Sequence, residues 1–193
     1  MATLLFFDQD HRYTLDGMEL PSVTHICRFL AYDYKSAQPW LAEAAARRGT
    51  AIHEACALID YGEEPEVSPE IEGYITAYRR FLKDYQPEWE GIETPLFVYD
   101  DWYKFAGTPD RWGKMDGKLT LLDIKTGAVH VPYVSAQLCG YGIMLLARGR
   151  EIQSAYALRL DKSGVYELTR IEPDAFLLDS CIILNNATKG RKP

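Results

Sequence analysis

Two aspartates and a lysine of the chain fall on one predicted β-hairpin. The dipeptide Asp116-Gly117 is a strong signal for a two-residue hairpin loop. The register that this loop sets places Asp110 opposite Asp123, and Lys125, two residues further on, projects from the same face. Facing carboxylates repel each other unless a positive group lies between them. Two carboxylates and a lysine on one face are the groups that a divalent cation and a reacting phosphate require.

The same three residues also have a purely structural interpretation. The strand twist could separate the two acids on a solvated face, and Pro109 could interrupt the pairing. However, Leu122 and Ile124 make the opposite face of the second strand apolar, and leucines flank Asp123 on its own face. Ionised groups in such surroundings need partners, which favours the functional interpretation.

Two predicted helices carry further candidates. In the helix from about 38 to 59, His53 lies beside the apolar stripe, on a face with small neighbours. A lone helical histidine is more often structural, so its significance depends on the hairpin. In the helix from about 134 to 147, Gln137 and Tyr141 share a face. This pairing usually indicates core packing, but beside a metal site it could orient a nucleic-acid backbone or stack on a base.

In order and spacing, these residues resemble the RecB-like branch of the PD-(D/E)XK nuclease superfamily. The similarity covers about residues 47–145. It consists of Gly49-x-x-x-His53, Glu93 ahead of a strand, Gly107-x-x-Asp110, Asp123-x-Lys125-Thr-Gly127 and Gln137-x-x-x-Tyr141. Asp-x-Lys alone would be a weak signal, whereas five elements in the expected order are fairly specific.

The resemblance implies a role for each motif residue. Asp110 and Asp123 would be metal ligands, with His53 as a further ligand. Lys125 would position the attacking water or stabilise the developing charge, and Glu93 would support the site or be structural.

The resemblance also implies contacts with DNA. It places Gln137 and Tyr141 near the substrate. Separately, four basic residues are candidate contacts to a DNA backbone, although each could equally be an ordinary surface charge: Arg47, Arg48, Lys104 and Arg111.

The expected fold is α/β, with a central mixed sheet flanked by helices. The resemblance implies a restriction-endonuclease-like core of αβββαβ order, and we expect one nuclease domain over residues 1–193. Its core would span about residues 38–170, with an N-terminal hairpin and a C-terminal helix as additions. Strands are predicted at 92–99, 104–114, 118–125, 152–160 and 165–170.

Composition restricts the other classes. The chain has 193 residues, 47% of them hydrophobic, and carries a formal net charge of -7. Six acids and no base lie between Asp60 and Glu72, so the rest of the chain is close to neutral and can present a basic face to DNA. No apolar run is long enough for a membrane span, so we expect a cytoplasmic protein without a membrane partner.

The four cysteines have no Cys-x-x-Cys spacing, which indicates reduced, mostly buried thiols. Some RecB-like relatives hold a four-cysteine iron–sulfur cluster after the core. Only Cys181 follows the last core helix here, so no such cluster is expected. The cofactor is expected to be Mg²⁺ or Mn²⁺, and an imidazole ligand would make Mn²⁺ plausible.

The leading interpretation is a metal-dependent deoxyribonuclease that hydrolyses phosphodiester bonds. By analogy with the family, it would be a stand-alone exonuclease in recombination, repair or phage DNA processing. The alternative is a non-cleaving, nuclease-fold subunit that docks on DNA. A third interpretation, a plain structural α/β protein, requires the hairpin register to be a coincidence. An oligomer, and a recombination or single-strand-annealing partner, stay open.

Overall fold

The computed structural model describes residues 3–7, 12–31 and 39–188. Its strands are β1 (Leu4–Phe7), β2 (Arg12–Leu15), β3 (Met18–Leu20), β4 (Glu88–Ile92), β5 (Leu96–Tyr99), β6 (Lys104–Gly107), β7 (Arg111–Met115), β8 (Lys118–Lys125), β9 (Ser154–Leu160) and β10 (Tyr166–Arg170). Its α-helices are α1 (Val23–Ile26), α2 (Pro39–Asp60), α3 (Glu72–Tyr85), α4 (Val131–Leu146) and α5 (Ala175–Thr188), and a 3₁₀ helix spans Cys27–Leu30.

The central sheet has five strands in the order β10-β9-β8-β7-β4. Strands β8 and β9 are parallel and the other neighbours are antiparallel, so the sheet is mixed. Along the chain its elements follow the order α3, β4, β7, β8, α4, β9. The predicted α/β class and the αβββαβ order are therefore confirmed.

Both faces of the sheet are buried. Leu122 and Ile124 of β8 pack on one side with α2 and α3, whereas Leu121 packs on the other with α1, α4 and α5. Asp123 and Lys125 share the face of Leu121 because side chains alternate along a strand. They therefore point toward the α4 side of the sheet. None of the described helices is both long enough and apolar enough to cross a membrane.

Two predicted strands are each divided in the structure. Within the predicted strand 92–99, β4 ends at Ile92 and β5 begins at Leu96. Within the predicted strand 104–114, β6 ends at Gly107 and β7 begins at Arg111. Pro95 and Pro109 lie in these gaps, and proline lacks the N–H that a ladder position needs. As a result, β5 and β6 form a separate two-stranded sheet beside the main one.

The N-terminal hairpin continues into a third strand that the sequence did not predict. Asp16 and Gly17 both have positive φ, 50° and 82°, and they connect β2 to β3 in a three-stranded sheet. Ser22 then caps α1 by accepting a hydrogen bond from the His25 N–H, as its residue type predicts. All four cysteines are free and buried, as expected. The predicted helix start at residue 38 lies outside the described residues.

Candidate active site

A cleft of about 1700 Å³ opens at the end of β8 where Asp123 and Lys125 lie. Four of the regions that line it are the end of β8, α2, the segment before β7, and α4. Each region contributes residues that the sequence singled out: Asp123 and Lys125, His53, Asp110, and Gln137 and Tyr141. Sequence-distant candidates thus border one cavity.

Asp123 is a buried carboxylate with a cationic neighbour. Its side chain is 2% exposed, and Oδ2 lies 2.7 Å from Lys125 Nζ. Burial raises the pKa of Asp123 above its ordinary value, and the negative charge of Asp110 raises it further, while Lys125 opposes both effects. Burial alone would lower the pKa of Lys125, but Asp123 and Asp110 raise it, so Lys125 stays charged. Ionisation of Asp123 therefore carries a desolvation cost that Lys125 offsets only in part.

Asp110 lies where the hairpin pairing stops. Strands β7 and β8 keep the register set by Asp116-Gly117, and their last pair is Arg111 with Leu122. The prediction that Asp110 would be paired across the strands needs correction, because Asp110 precedes β7. Its Oδ2 instead accepts a 2.6 Å hydrogen bond from the N–H of Ile124. This bond holds the carboxylate beside the end of β8, close enough to Asp123 to raise its pKa.

His53 approaches the same place from α2. Its Nδ1 lies 3.6 Å from Asp110 Oδ1 and 3.9 Å from Glu93 Oε1. Glu93 has a positive φ of 44°, and its N–H donates to the Asp110 carbonyl. Glu93 therefore lies beside the candidate ligands, and its role, supporting or purely structural, stays a prediction.

The donor groups suit a hard divalent cation in their chemistry. Asp110, Asp123 and His53 supply carboxylate oxygens and an imidazole, the ligand types used for Mg²⁺ and Mn²⁺. Asp123 Oδ2 is also buried without a hydrogen bond of good geometry, although Lys125 Nζ is near. Within the described residues no group of three such side chains is already gathered tightly enough to hold a metal. The residues fit a cation in type, and their assembly around one stays a prediction.

Gln137 and Tyr141 form a buried polar pair on the α4 wall. They are 6% and 4% exposed, and Gln137 Nε2 donates a 3.0 Å hydrogen bond to the Tyr141 hydroxyl. The Oε1 atom of Gln137 is buried with no partner. A larger residue at position 107 would clash, because a Cβ there would lie 2.7 Å from Tyr141 Cε1. Gly107 of the Gly107-x-x-Asp110 motif thus makes room for Tyr141.

The basic residues predicted to contact DNA do not line the cleft in the described structure. Arg47 lies 4.0 Å from Glu43, and Arg48 lies 3.5 Å from Glu70. Lys104 lies over the ring of Tyr99, at the far end of β6.

Arg111 contradicts its predicted role outright, because its side chain is 0% exposed. Its Nε lies 2.5 Å from Asp60 Oδ2, which also accepts a hydrogen bond from Tyr78. Another Arg111 nitrogen donates to the Asp110 carbonyl at 2.6 Å and lies 3.4 Å from Glu93. Arg111 therefore joins α2 to the base of the site and cannot reach a ligand from this position.

Sequence reasoning missed a second wall of the cleft. Residues of β2, α1, the 3₁₀ helix and α5 line it, including Arg12, Thr24, Arg28 and Asn185. No spacing in the sequence connects Arg28 with Asn185, so no local pattern could have found them. The sequence indicated only that the N-terminal segment contains basic residues, Arg12 and Arg28 among them.

Comparison with known proteins gives only weak similarities for this chain. No protein-family model matches it. No curated protein matches it either. Among solved structures, one described as SSO0001 is similar with 12% identity and a TM-score of 0.40 over 62% of this chain. An alkaline exonuclease (LHK-Exo) from Laribacter hongkongensis is similar with 17% identity and a TM-score of 0.41 over 86%. The chain spans 59% of the first structure's length and 84% of the second's. Similarities this low say nothing about what the chain itself does.

Proposed function

We propose that this chain is a metal-dependent DNA nuclease of the RecB-like, PD-(D/E)XK type. The observation that carries the proposal is the meeting of Asp110, Asp123 and Lys125 at the end of one hairpin, inside a large cleft. A finer proposal is that it acts as an exonuclease in recombination, repair or phage DNA processing.

The size of the cleft supports a polymeric substrate. Pockets for small molecules usually measure about 300–1,000 Å³, and this cleft measures about 1700 Å³. Its lining includes a tyrosine that is only partly buried, Tyr133, beside the Lys125 ammonium, which lies 6.0 Å from the ring centre. An open groove with an aromatic ring and cations suits a nucleic-acid strand.

The charges of the cleft support the need for a cation. Glu54, Glu93, Asp110 and Asp123 all line it near His53 and Lys125. A phosphodiester would be repelled by these carboxylates unless positive charge were added between them. A bound Mg²⁺ or Mn²⁺ would polarise the phosphate and lower the pKa of a coordinated water.

The chain's own residues have clear tasks in such a reaction. Asp110 and Asp123 would hold the cation, and the Ile124 N–H fixes the orientation of Asp110. The Lys125 ammonium would orient the attacking water or stabilise negative charge on the phosphate oxygens. Gln137 also lines the cleft, and its carbonyl oxygen is buried without a hydrogen-bond partner, so this residue would lie beside the bound substrate.

A second candidate function is a DNA-binding subunit that does not cut. The 2.7 Å ion pair between Asp123 and Lys125 favours it, since each charge already has a partner. The burial of Asp123 weighs against it, because a neutral residue would avoid the desolvation cost that raises the pKa of this carboxyl.

Cleavage assays decide between the two functions. Purified protein is incubated with linear and circular DNA, in Mg²⁺, in Mn²⁺ and in EDTA, and the products are separated on denaturing gels. The nuclease proposal expects cleavage in a divalent metal and none in EDTA, and the exonuclease proposal expects circular DNA to survive.

Matched variants exclude a contaminating nuclease. Asp123→Asn should lose cleavage, whereas Asp84→Asn, which changes a carboxylate bonded to Tyr166 outside the cleft, should retain it. Absence of cleavage by the wild-type protein in every metal would overturn the proposal and leave the non-cleaving subunit.

A further inference from the structure

The elements that line the cleft form two sets, called its two walls here, which differ in their charged residues. The wall formed by α2 and the end of the main sheet carries the four carboxylates named above. The other wall, from β2, β3, α1, the 3₁₀ helix and α5, carries Arg12, His25 and Arg28, with Glu19 as its acid. The chain, although acidic overall, therefore also places basic side chains along the cleft.

Arg28 of this wall is held in place by contacts with three residues and an aromatic ring. One guanidinium nitrogen, Nη1, donates to the His25 carbonyl at 2.6 Å and to Asn185 Oδ1 at 2.8 Å. Nη2 lies 3.5 Å from Thr188 Oγ1, and the guanidinium packs over the ring of Phe29. These contacts join the N-terminal segment to the last helix and fix the direction of the side chain.

The charge of Arg28 is not neutralised by these contacts. Every hydrogen-bond partner that the described part of the chain gives it is a neutral oxygen. Asn185, one of these partners, is 3% exposed, and an aspartate of nearly the same shape at that position would have formed an ion pair. A fixed guanidinium with spare donors on a cleft wall is suited to an anionic ligand.

We infer that Arg28 binds a backbone phosphate of the DNA strand lying in the cleft, on the wall formed by α1, the 3₁₀ helix and α5. The phosphate is an internal diester rather than the one that is cut, because Arg28 contacts His25 and Asn185, whereas the candidate cutting residues belong to β8 and the segment before β7. Asn185 acts through Arg28 and is a positioning residue. The inference rests on the proposed function only for the choice of DNA as ligand.

Equilibrium DNA binding without cleavage tests this role. Fluorescence anisotropy is measured with a labelled linear single strand and with a circular single strand of the same sequence, in EDTA and in Ca²⁺, over a series of salt concentrations. Arg28→Gln should weaken binding to both DNAs about tenfold or more. The slope of log affinity against log salt should fall by about one phosphate contact.

Asn185→Asp is the sharper variant, since it leaves Arg28 in place. The new carboxylate would keep the hydrogen bond and neutralise the guanidinium, so DNA affinity should fall while the melting temperature stays at or above that of the wild type. Asn186→Asp, an exposed change on the same helix, adds the same charge and should bind DNA like the wild type. The matched control for Arg28→Gln is Arg79→Gln, which removes an arginine of α3 that forms an ion pair with Glu64.

Each other outcome overturns the inference. Wild-type affinity in Asn185→Asp would mean that Arg28 only anchors α5, and equal losses in the control variants would mean a general charge effect. A loss of affinity confined to linear DNA would mean that Arg28 binds a strand end. A wild-type protein that binds neither DNA would exclude DNA as the ligand.

Failure of the proposed function looks different. A wild type that binds DNA through Arg28 but never cuts it refutes the nuclease and keeps the inference. A wild type that cuts DNA, with unchanged binding in Arg28→Gln, refutes the inference and keeps the nuclease.

Discussion

Asp123 and Lys125 form an ion pair on one face of β8, with 2.7 Å between Oδ2 and Nζ, yet the two side chains are buried to different degrees. The carboxylate is 2% exposed and the lysine side chain is 25% exposed. The long lysine stem can carry its ammonium toward water, whereas the short carboxylate cannot leave. The two charges therefore depend on each other unequally.

The first prediction concerns activity. Asp123→Asn should abolish DNA cleavage in both Mg²⁺ and Mn²⁺, because an amide oxygen is a far weaker ligand for a hard cation than a carboxylate. Isothermal titration with Mn²⁺ should show a matching loss of metal affinity. Full cleavage by this variant would remove Asp123 from the mechanism.

The second prediction follows from the unequal burial. Lys125→Met should destabilise the metal-free protein by about 3 kcal/mol, because it leaves the buried Asp123 carboxylate without its cation. Urea unfolding in EDTA measures this, with Lys118→Met at the exposed start of β8 as the control. Unchanged stability in Lys125→Met would show that the ion pair does not offset the burial of Asp123.

The third prediction concerns the buried Arg111. Arg111→Met should destabilise the protein by about 3–5 kcal/mol, because Asp60 then keeps a buried charge with no cationic partner. Adding Asp60→Asn should recover part of this loss, since the amide oxygen can still accept from the Tyr78 hydroxyl. Urea unfolding of the single and double variants tests both steps. If the second change deepened the loss, the unpaired charge would not be its cause.

The strongest sequence expectations were those fixed by local geometry. Asp116 has a φ of 50° and Gly117 a φ of 72°, so a loop of these two residue types sets the register of β7 and β8 by itself. That register brought Asp110 and Asp123 to one end of the hairpin. It could not show that Asp110 leaves the strand, because this depends on Pro109 and on the bond to Ile124.

The residues that sequence reasoning misplaced or missed depend on contacts between distant segments. From the sequence, Arg111 could be an ordinary surface arginine on a strand. Only its contact with Asp60 of α2 shows that its side chain is buried. Arg28 contacts Asn185, 157 positions further along the chain. No local pattern encodes such a pair, so the second wall of the cleft required the fold.

The fourth prediction concerns the choice of metal. His53→Ala should reduce cleavage in Mn²⁺ more than in Mg²⁺, because imidazole suits Mn²⁺ better than it suits Mg²⁺. Rates in the two metals are compared for the variant and for the wild type on the same DNA. An equal reduction in both metals would place His53 in a supporting role toward Asp110, 3.6 Å away, rather than on the cation.

The last prediction concerns stability and pH in the metal-free protein. The folded pKa of Asp123 is raised from its ordinary value of 3.8, chiefly by burial, so folding favours its protonated form. Below that ordinary value the carboxyl is protonated in both the folded and the unfolded state, and it costs nothing. As the pH rises through the interval up to the raised pKa, ionisation progressively destabilises the folded wild type. Asparagine cannot ionise, so Asp123→Asn escapes this cost.

Melting temperatures in EDTA between pH 4 and pH 8 measure the effect as a difference between Asp123→Asn and the wild type. The difference should favour the variant at neutral pH and shrink toward pH 4. The loss of a partner for Lys125 works against the variant, but that ammonium keeps the attraction of Asp110. A variant less stable than the wild type at neutral pH would mean that Asp123 is retained as a structural ion-pair partner rather than as a costly ligand.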